Sequence, residues 1–200
     1  MEKLLFSTNR LVDYNKIMKI EGKDTIRKTA LDIIAYEGLE NLTMSTLAHE
    51  LEITKATLYH YYKSKDDIID EIYTLGHKEL MQKGFRLNLS GTIEEVLTEA
   101  SGKWESLFLD ENLAPFLRMV FSLYLIDDRA KDEHQALTLM LKSQSDVIIN
   151  TLKKESQNKN EILSNLFSSL LLTNLERILS EDEVDLKSDI VSFAKLLEEI

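Results

Sequence analysis

The sequence predicts an all-α protein, and three observations carry that reading. Six glycines and one proline, Pro115, punctuate 200 residues, too few turn formers for a chain of many short strands. No run alternates apolar and polar residues between hairpin turn signals, whereas apolar residues recur at helical spacing from Ile26 to Leu197. Residues 43–65, TMSTLAHELEITKATLYHYYKSK, read as two short helices joined by a tight turn and followed by an aromatic and lysine cluster. At 44% hydrophobic content, the length suffices for a small domain plus a larger helical one.

The first helix carries Ile26, Ala30 and Ile33 or Ile34 on one face, with Asp24 or Thr25 placed to cap its start. Gly38 can take the left-handed conformation that closes it, and Leu39 and Leu42 extend its apolar face. Thr43 offers a hydroxyl to the orphan amides of a second helix, whose Met44, Leu47, Ala48 and Leu51 share a face. The turn is Glu52, Ile53 and Thr54, with Ile53 plugging the space between helices and Thr54 capping a third helix from Lys55. There Ala56, Leu58 and Tyr62 are expected to face inward. Lys55, Thr57, Tyr59, His60 and Tyr61 are left to an outside partner.

Those outward side chains suit DNA. A major groove about 12 Å wide admits one helix and displays donors, acceptors and thymine methyls. Lys55 can donate to guanine, and Thr57 and the Ala56 methyl can meet base edges. Tyr59, Tyr61, Lys63 and Lys65 sit where phosphate oxygens would lie. No acidic residue occurs from Thr54 to Lys65 although three lysines do, in a chain of net charge -11. Geometry alone also allows a small helical domain with packed aromatics.

The whole string from Thr25 to about Tyr73 is more specific. It comprises Ile26, Ala30 and Ile34, Glu37-Gly38, Leu42-Thr43, Leu47-Ala48, Ile53-Thr54-Lys55, Thr57-Leu58-Tyr59, Tyr61-Tyr62 and Ser64-Lys65-Asp66. This pattern resembles the DNA-binding domain of the TetR family of bacterial transcriptional regulators. The resemblance implies a three-helix DNA-binding domain with its helix-turn-helix over residues 23–67. It also implies a larger helical ligand-binding and dimerisation domain over 68–200, and leaves 1–22 as an N-terminal extension. It implies groove contacts from Ser45, Lys55, Ala56, Thr57, Tyr59 and His60, and phosphate contacts from Thr43, Tyr61 and Lys65. Three positions depart from the pattern: Glu52 and Ala56 stand where glycine is frequent, and Tyr62 where phenylalanine is usual. If the turn needs a positive φ at Glu52, that residue carries roughly 1 kcal/mol or more of strain.

From Asp66 a helix with Ile68, Ile69, Ile72, Leu75 and Leu80 connects the two domains. Further helices are expected over 93–109, 115–126, 132–154, 160–179 and 183–197, with breaks at 88–91, 110–112 and 127–129. The last two hold more apolar residues than one packing face requires. A self-association surface follows, two helices from each chain forming a four-helix bundle through Leu166, Phe167, Leu170, Leu171, Asn174, Ile190, Phe193 and Leu197. The resemblance points the same way. A two-fold homodimer places two reading helices about 34 Å apart on a palindromic double-stranded site. In the middle helices Trp104, Phe108, Met119 and Tyr124 are candidates to line a cavity for a small hydrophobic or amphipathic effector, with Arg118 and His134 as polar contacts. Each alone reads more readily as core.

Residues 1–22 hold enough apolar positions for an accessory helix or arm. Residues 1–65 carry ten basic side chains against nine acidic ones, and residues 66–200 carry 14 against 26, so DNA should meet the first part and avoid the second. The absence of cysteine removes disulfide and thiolate chemistry. His49, His60, His77 and His134 are scattered, so no catalytic constellation, metal-ligand cluster or cofactor is expected. No run is long and apolar enough for a membrane span, and a cytoplasmic protein is expected. The expected function is sequence-specific DNA binding by a ligand-responsive repressor. The alternative is a module of the same fold that binds proteins and does not itself read DNA.

Overall fold

The computed structural model describes residues 22–83, 86–153 and 155–200; the expected accessory segment lies, but for Gly22, outside them. Among the described residues there are nine α-helices and no strand. They are α1 (Lys23–Glu37), α2 (Met44–Glu50), α3 (Lys55–Tyr61), α4 (Lys65–Gln82), α5 (Ile93–Phe108), α6 (Ala114–Leu123), α7 (Asp128–Leu152), α8 (Gln157–Leu179) and α9 (Leu186–Glu199). The chain divides into two compact units between Gly76 and His77, inside α4.

The first unit closes on a core of Ile26, Ala30, Ile33, Ile34, Leu42, Leu47, Ala48, Leu58, Ile68, Ile69 and Ile72. The opening turns of α4 therefore belong to this unit, because their apolar face is buried in it, and the division falls later than residue 67. Gly38 ends α1 with φ 101, its N–H bonding to the carbonyls of Ile33 and Ile34. That positive φ is what favours glycine; a Cβ there would stand 2.8 Å from the end of the flexible Glu40 side chain, which can move aside. Neither Asp24 nor Thr25 caps α1. The cap is Gly22 without a side-chain bond, and Asp24 lies inside the first turn, where it pairs with Arg27.

In the second unit α7 packs most extensively on α8 and α9 on α5, while α8 and α9 touch one another much less. The two final helices are thus each held chiefly by an earlier helix. Helix α7 begins at Asp128, earlier than the expected 132. The Asp127 carboxylate caps it, accepting from the amides of Arg129 at 2.9 Å and Ala130 at 3.1 Å. These bonds and the Arg129 guanidinium hold the Asp127 carboxyl below its ordinary pKa, the guanidinium contributing most. Helix α9 begins late, at Leu186, because Asp185 accepts from the Ser188 amide at 2.9 Å. No described helix is long and apolar enough to cross a membrane.

Candidate nucleic-acid interface

The interface is built from caps. At the start of α2 the Thr43 hydroxyl accepts from the amides of Ser45 (3.3 Å) and Thr46 (3.0 Å), and the Thr46 hydroxyl accepts from the Thr43 amide at 2.9 Å. This reciprocal box fixes Thr43 and Ser45, both exposed. Helix α2 ends in a paired closure: Glu52 N–H donates to His49 C=O and Ile53 N–H to Ala48 C=O, both at 2.9 Å. That motif puts its penultimate residue in the left-handed region, and Glu52 has φ 53. The strain anticipated for a glutamate in this turn is present.

Thr54 then caps α3, its hydroxyl accepting from the Thr57 amide at 3.1 Å and lying 2.9 Å from the Thr57 hydroxyl. Leu58 is fully buried, which turns the opposite face outward: Lys55, Ala56, Tyr59 and His60 are exposed, Thr57 and Tyr61 half-buried. Ala56, expected to point inward from its spacing, is on the exposed face, because Leu58 and Tyr62 alone anchor so short a helix. His60 and Tyr61 meet edge to face at 5.7 Å between ring centroids. Beyond α3, Asp67 accepts from the amides of Lys63 (3.0 Å) and Ser64 (3.1 Å), and the Ser64 hydroxyl accepts from the Asp67 amide at 3.1 Å. This second reciprocal box, which the S-x-x-D spacing carried unread, makes the exit turn rigid and holds Lys63 exposed and Lys65 half-buried beside it. The nine expected contact residues thus lie on two adjoining short helices, their caps and their exit, and seven of them fall between Thr54 and Lys65, a stretch without an acidic side chain.

The expected effector and self-association residues fare differently. Trp104, Phe108 and Met119 are buried core, and the Trp104 indole N–H donates to Gln144 Oε1 at 3.0 Å, a partner that nothing in the spacing of polar residues singled out. Tyr124 is half-buried and stacks on His134 at 4.2 Å, while Arg118 pairs with Glu181 at 3.0 Å. An open surface cleft of about 540 Å³ is lined instead by Lys83, Thr98, Glu99, Gly102, Lys103 and neighbours, none of the four expected residues. Of the expected interface residues, Leu166 is half exposed and Leu170 half-buried. Phe167, Leu171, Asn174, Ile190, Phe193 and Leu197 are already buried within the single chain. Ile162 and Leu196, which belong to the same apolar excess, are exposed on these two helices, as is Ile200 just past their end. No group of three or more His, Asp or Glu side chains among the described residues is arranged to hold a metal.

Two capped helices carried on the apolar face of a third, with a lysine-flanked exit and a larger helical unit following, define a helix-turn-helix protein. Residues 26–72 match the family described as bacterial regulatory proteins, tetR family. An uncharacterised HTH-type transcriptional regulator of Bacillus subtilis, YhgD, is 33% identical over 66 residues, 33% of this chain and 35% of that protein. An HTH-type transcriptional regulator of Staphylococcus aureus is 39% identical over 49 residues, 24% of this chain and 26% of its own length. The similarity therefore spans about a third or less of these relatives. Over most of its length the chain shares the fold of a Saccharomonospora viridis protein solved in complex with choline. That likeness has TM-score 0.60 at 17% identity and covers 86% of this chain and 95% of that one. A TetR-like transcriptional regulator from Rhodococcus sp. RHA1 matches with TM-score 0.60 at 16% identity, over 84% and 91% of the two chains. Residues 26–72 are thus similar to the DNA-binding region of the tetR family, and the chain as a whole shares the fold of these solved regulators.

Proposed function

We propose that the chain is a sequence-specific, DNA-binding transcriptional regulator that acts in the cytoplasm as a homodimer on a palindromic operator and represses until an effector binds. The observation that carries the reading is the exposed face of α3. Lys55, Ala56, Tyr59 and His60 project from a helix held only by Leu58 and Tyr62, on a stretch of three lysines and no carboxylate. Lys55, Ala56, Thr57, Tyr59 and His60, with Ser45 of α2, are the groove contacts, and Thr43, Tyr61 and Lys65 anchor the backbone. Dimerisation uses the exposed apolar stripe of Ile162 and Leu166 on α8 together with Leu196 and Ile200 at the end of the chain. A small hydrophobic or amphipathic effector acts through unequal affinity for two arrangements of the dimer.

The test is retention of genomic fragments on the purified full chain at physiological salt, with Lys55→Ala/Tyr59→Ala beside it. Enrichment of a few palindromic sites, lost in the variant, supports the reading. Retention of protein partners with no DNA sequence enriched replaces it with the protein-binding alternative, to which the exposed Glu52 carboxylate in the reading turn would be no obstacle.

A further inference from the structure

The surface cleft beside α5 has a volume of about 540 Å³, within the range of small-molecule sites, about 300–1,000 Å³. Gly102, in the middle of α5, lines it. Among the described residues nothing lies within 4 Å of a Cβ built at Gly102, and its φ is not positive. Neither packing nor backbone conformation therefore requires glycine there. Inside a helix glycine is a destabilising choice relative to alanine. What it provides is depth: part of the cleft floor is bare backbone, open to an incoming group.

The charged side chains around that floor are unevenly committed. Lys83, one residue past α4, pairs with Glu79 at 3.3 Å and with Asp110. Lys103 pairs with Glu99 at 2.6 Å and donates to the Arg86 carbonyl at 2.7 Å. An ammonium has three N–H donors, so each lysine keeps one beyond those two partners. Asp110 has less to offer a ligand. Its Oδ1 accepts from the amides of Asn112 and Leu113, both at 3.1 Å, and its Oδ2 faces Lys83. Glu99 is exposed to water, and its charge is already offset by Lys103. Leu107 and the methylene stems of the two lysines supply the apolar part of the lining.

We propose that this cleft binds a small amphipathic anion. Lys103, next to Gly102 in the chain, holds the charged end, the apolar body lies over Gly102 and Leu107, and Lys83 adds its field from beside Asp110. An anion joins these lysines through charge-assisted hydrogen bonds without displacing the partners they have. Lys83 follows directly on α4, whose opening turns belong to the first unit, so a ligand here bears on the end of that helix. Use of the site by an effector rests on the regulator reading; the binding itself does not.

The test uses the full chain with octanoate, octylammonium and inorganic phosphate as probes, calorimetry to read affinity and amide NMR shifts to read location. Octanoate is expected to bind with its shifts centred on residues 98–110. The other two should bind at least about tenfold more weakly, since one has the wrong charge and the other no apolar body. Gly102→Ala should raise the thermal midpoint of the free protein by about 2–4 °C. Gly102→Leu should fold and lose octanoate binding, because its side chain fills the floor. Lys103→Gln should weaken octanoate about tenfold, the size of one charge-assisted hydrogen bond. The proposal is overturned if octanoate fails to bind or binds elsewhere, if octylammonium or phosphate binds as tightly, or if either Gly102→Leu or Lys103→Gln binds octanoate undiminished. A lower midpoint for Gly102→Ala would make the glycine a packing requirement and overturns it too. DNA retention is measured separately. Octanoate that fills the cleft and leaves retention unchanged supports the site and removes its effector role; a chain that selects no DNA sequence fails the regulator reading and leaves the octanoate result to decide the site.

Discussion

Replacing Glu52 with glycine should stabilise the protein, although glycine is ordinarily a destabilising choice. Glu52 has φ 53, and the left-handed region costs a residue with a Cβ about 1–2 kcal/mol. Glycine escapes that cost but loses about 0.5–1 kcal/mol of backbone entropy on folding. The turn itself is untouched, since its two hydrogen bonds use the backbone amides of Glu52 and Ile53, and the exposed side chain takes no packing with it. The net gain is about 0.5–1 kcal/mol, or roughly 2–8 °C in the midpoint of a cooperative unit the size of the first. Differential scanning calorimetry on the unaltered chain, Glu52→Gly and Glu52→Gln reads it. The glutamine variant keeps the Cβ and the strain, so its midpoint should not move. Glu181 supplies a second control. It has φ 62 in the same kind of closure after α8, but its carboxylate pairs with Arg118 at 3.0 Å, so Glu181→Gly loses an ion pair as it relieves strain and should gain less. A lower midpoint for Glu52→Gly, or equal gains from Gly and Gln, would refute the argument from backbone strain.

Charge at the same turn gives a separate expectation: Glu52→Gln and Glu52→Gly should both tighten DNA binding, more at low salt than high, as fluorescence anisotropy across a salt series would show. Lys65→Ala should weaken binding about equally across DNA sequences and lower the slope of log affinity against log salt by about one, whereas Tyr59→Ala should change which sequences are preferred. Leu166→Glu should leave the helical circular dichroism intact and produce monomers by sedimentation. Phe167→Ala, one position on and fully buried against Phe193, should cost about 3–5 kcal/mol of stability whatever the oligomeric state. His134 carries a pH prediction. Burial lowers its pKa more than the Glu176 charge raises it, so the unfolded chain holds the proton more readily than the folded one. The stability it contributes is present above its unfolded pKa of about 6.5 and is lost as pH falls from there through its lower folded pKa. Urea midpoints measured from pH 7.5 to 5 should decline less steeply in His134→Phe than in the unaltered chain.

The first unit was legible because its signals are local. Thr43, Thr54 and Gly38 each act on amides or carbonyls a few residues away, so sequence spacing and structural contact coincide there. Ala56 misled because inward orientation was judged from helical spacing alone, and α3 is so short that Leu58 and Tyr62 exhaust its buried side. Asp24 misled for a related reason. A capping residue type within reach of a helix start also serves inside the first turn, and the geometry at Gly22 decided between them.

The second unit was legible as helices and opaque as contacts. Apolar residues all round α8 were correctly in excess of one face, but periodicity does not say which side a fold uses first. The chain spends Phe167, Leu171 and Asn174 on its own interior, Phe167 stacking on Phe193 of α9, and leaves Ile162 and Leu166 outward. The same reasoning bears on the effector. Trp104 is not a free wall of a cavity, because its indole N–H is committed to Gln144, and a buried donor with a partner costs free energy to detach. Tyr124 and His134 are different: stacked on each other, half-buried, and bounded by Phe121 at 5.1 Å from the His134 ring, they offer aromatic faces that separate without orphaning a hydrogen bond. An apolar or cationic effector that enters the second unit should therefore part Tyr124 from His134 before it disturbs Trp104, and in doing so it would change the burial that holds the His134 pKa down. The histidine ring protons, followed by NMR titration, would report that entry; a ligand that weakens operator binding while leaving the His134 titration unmoved would place its site elsewhere.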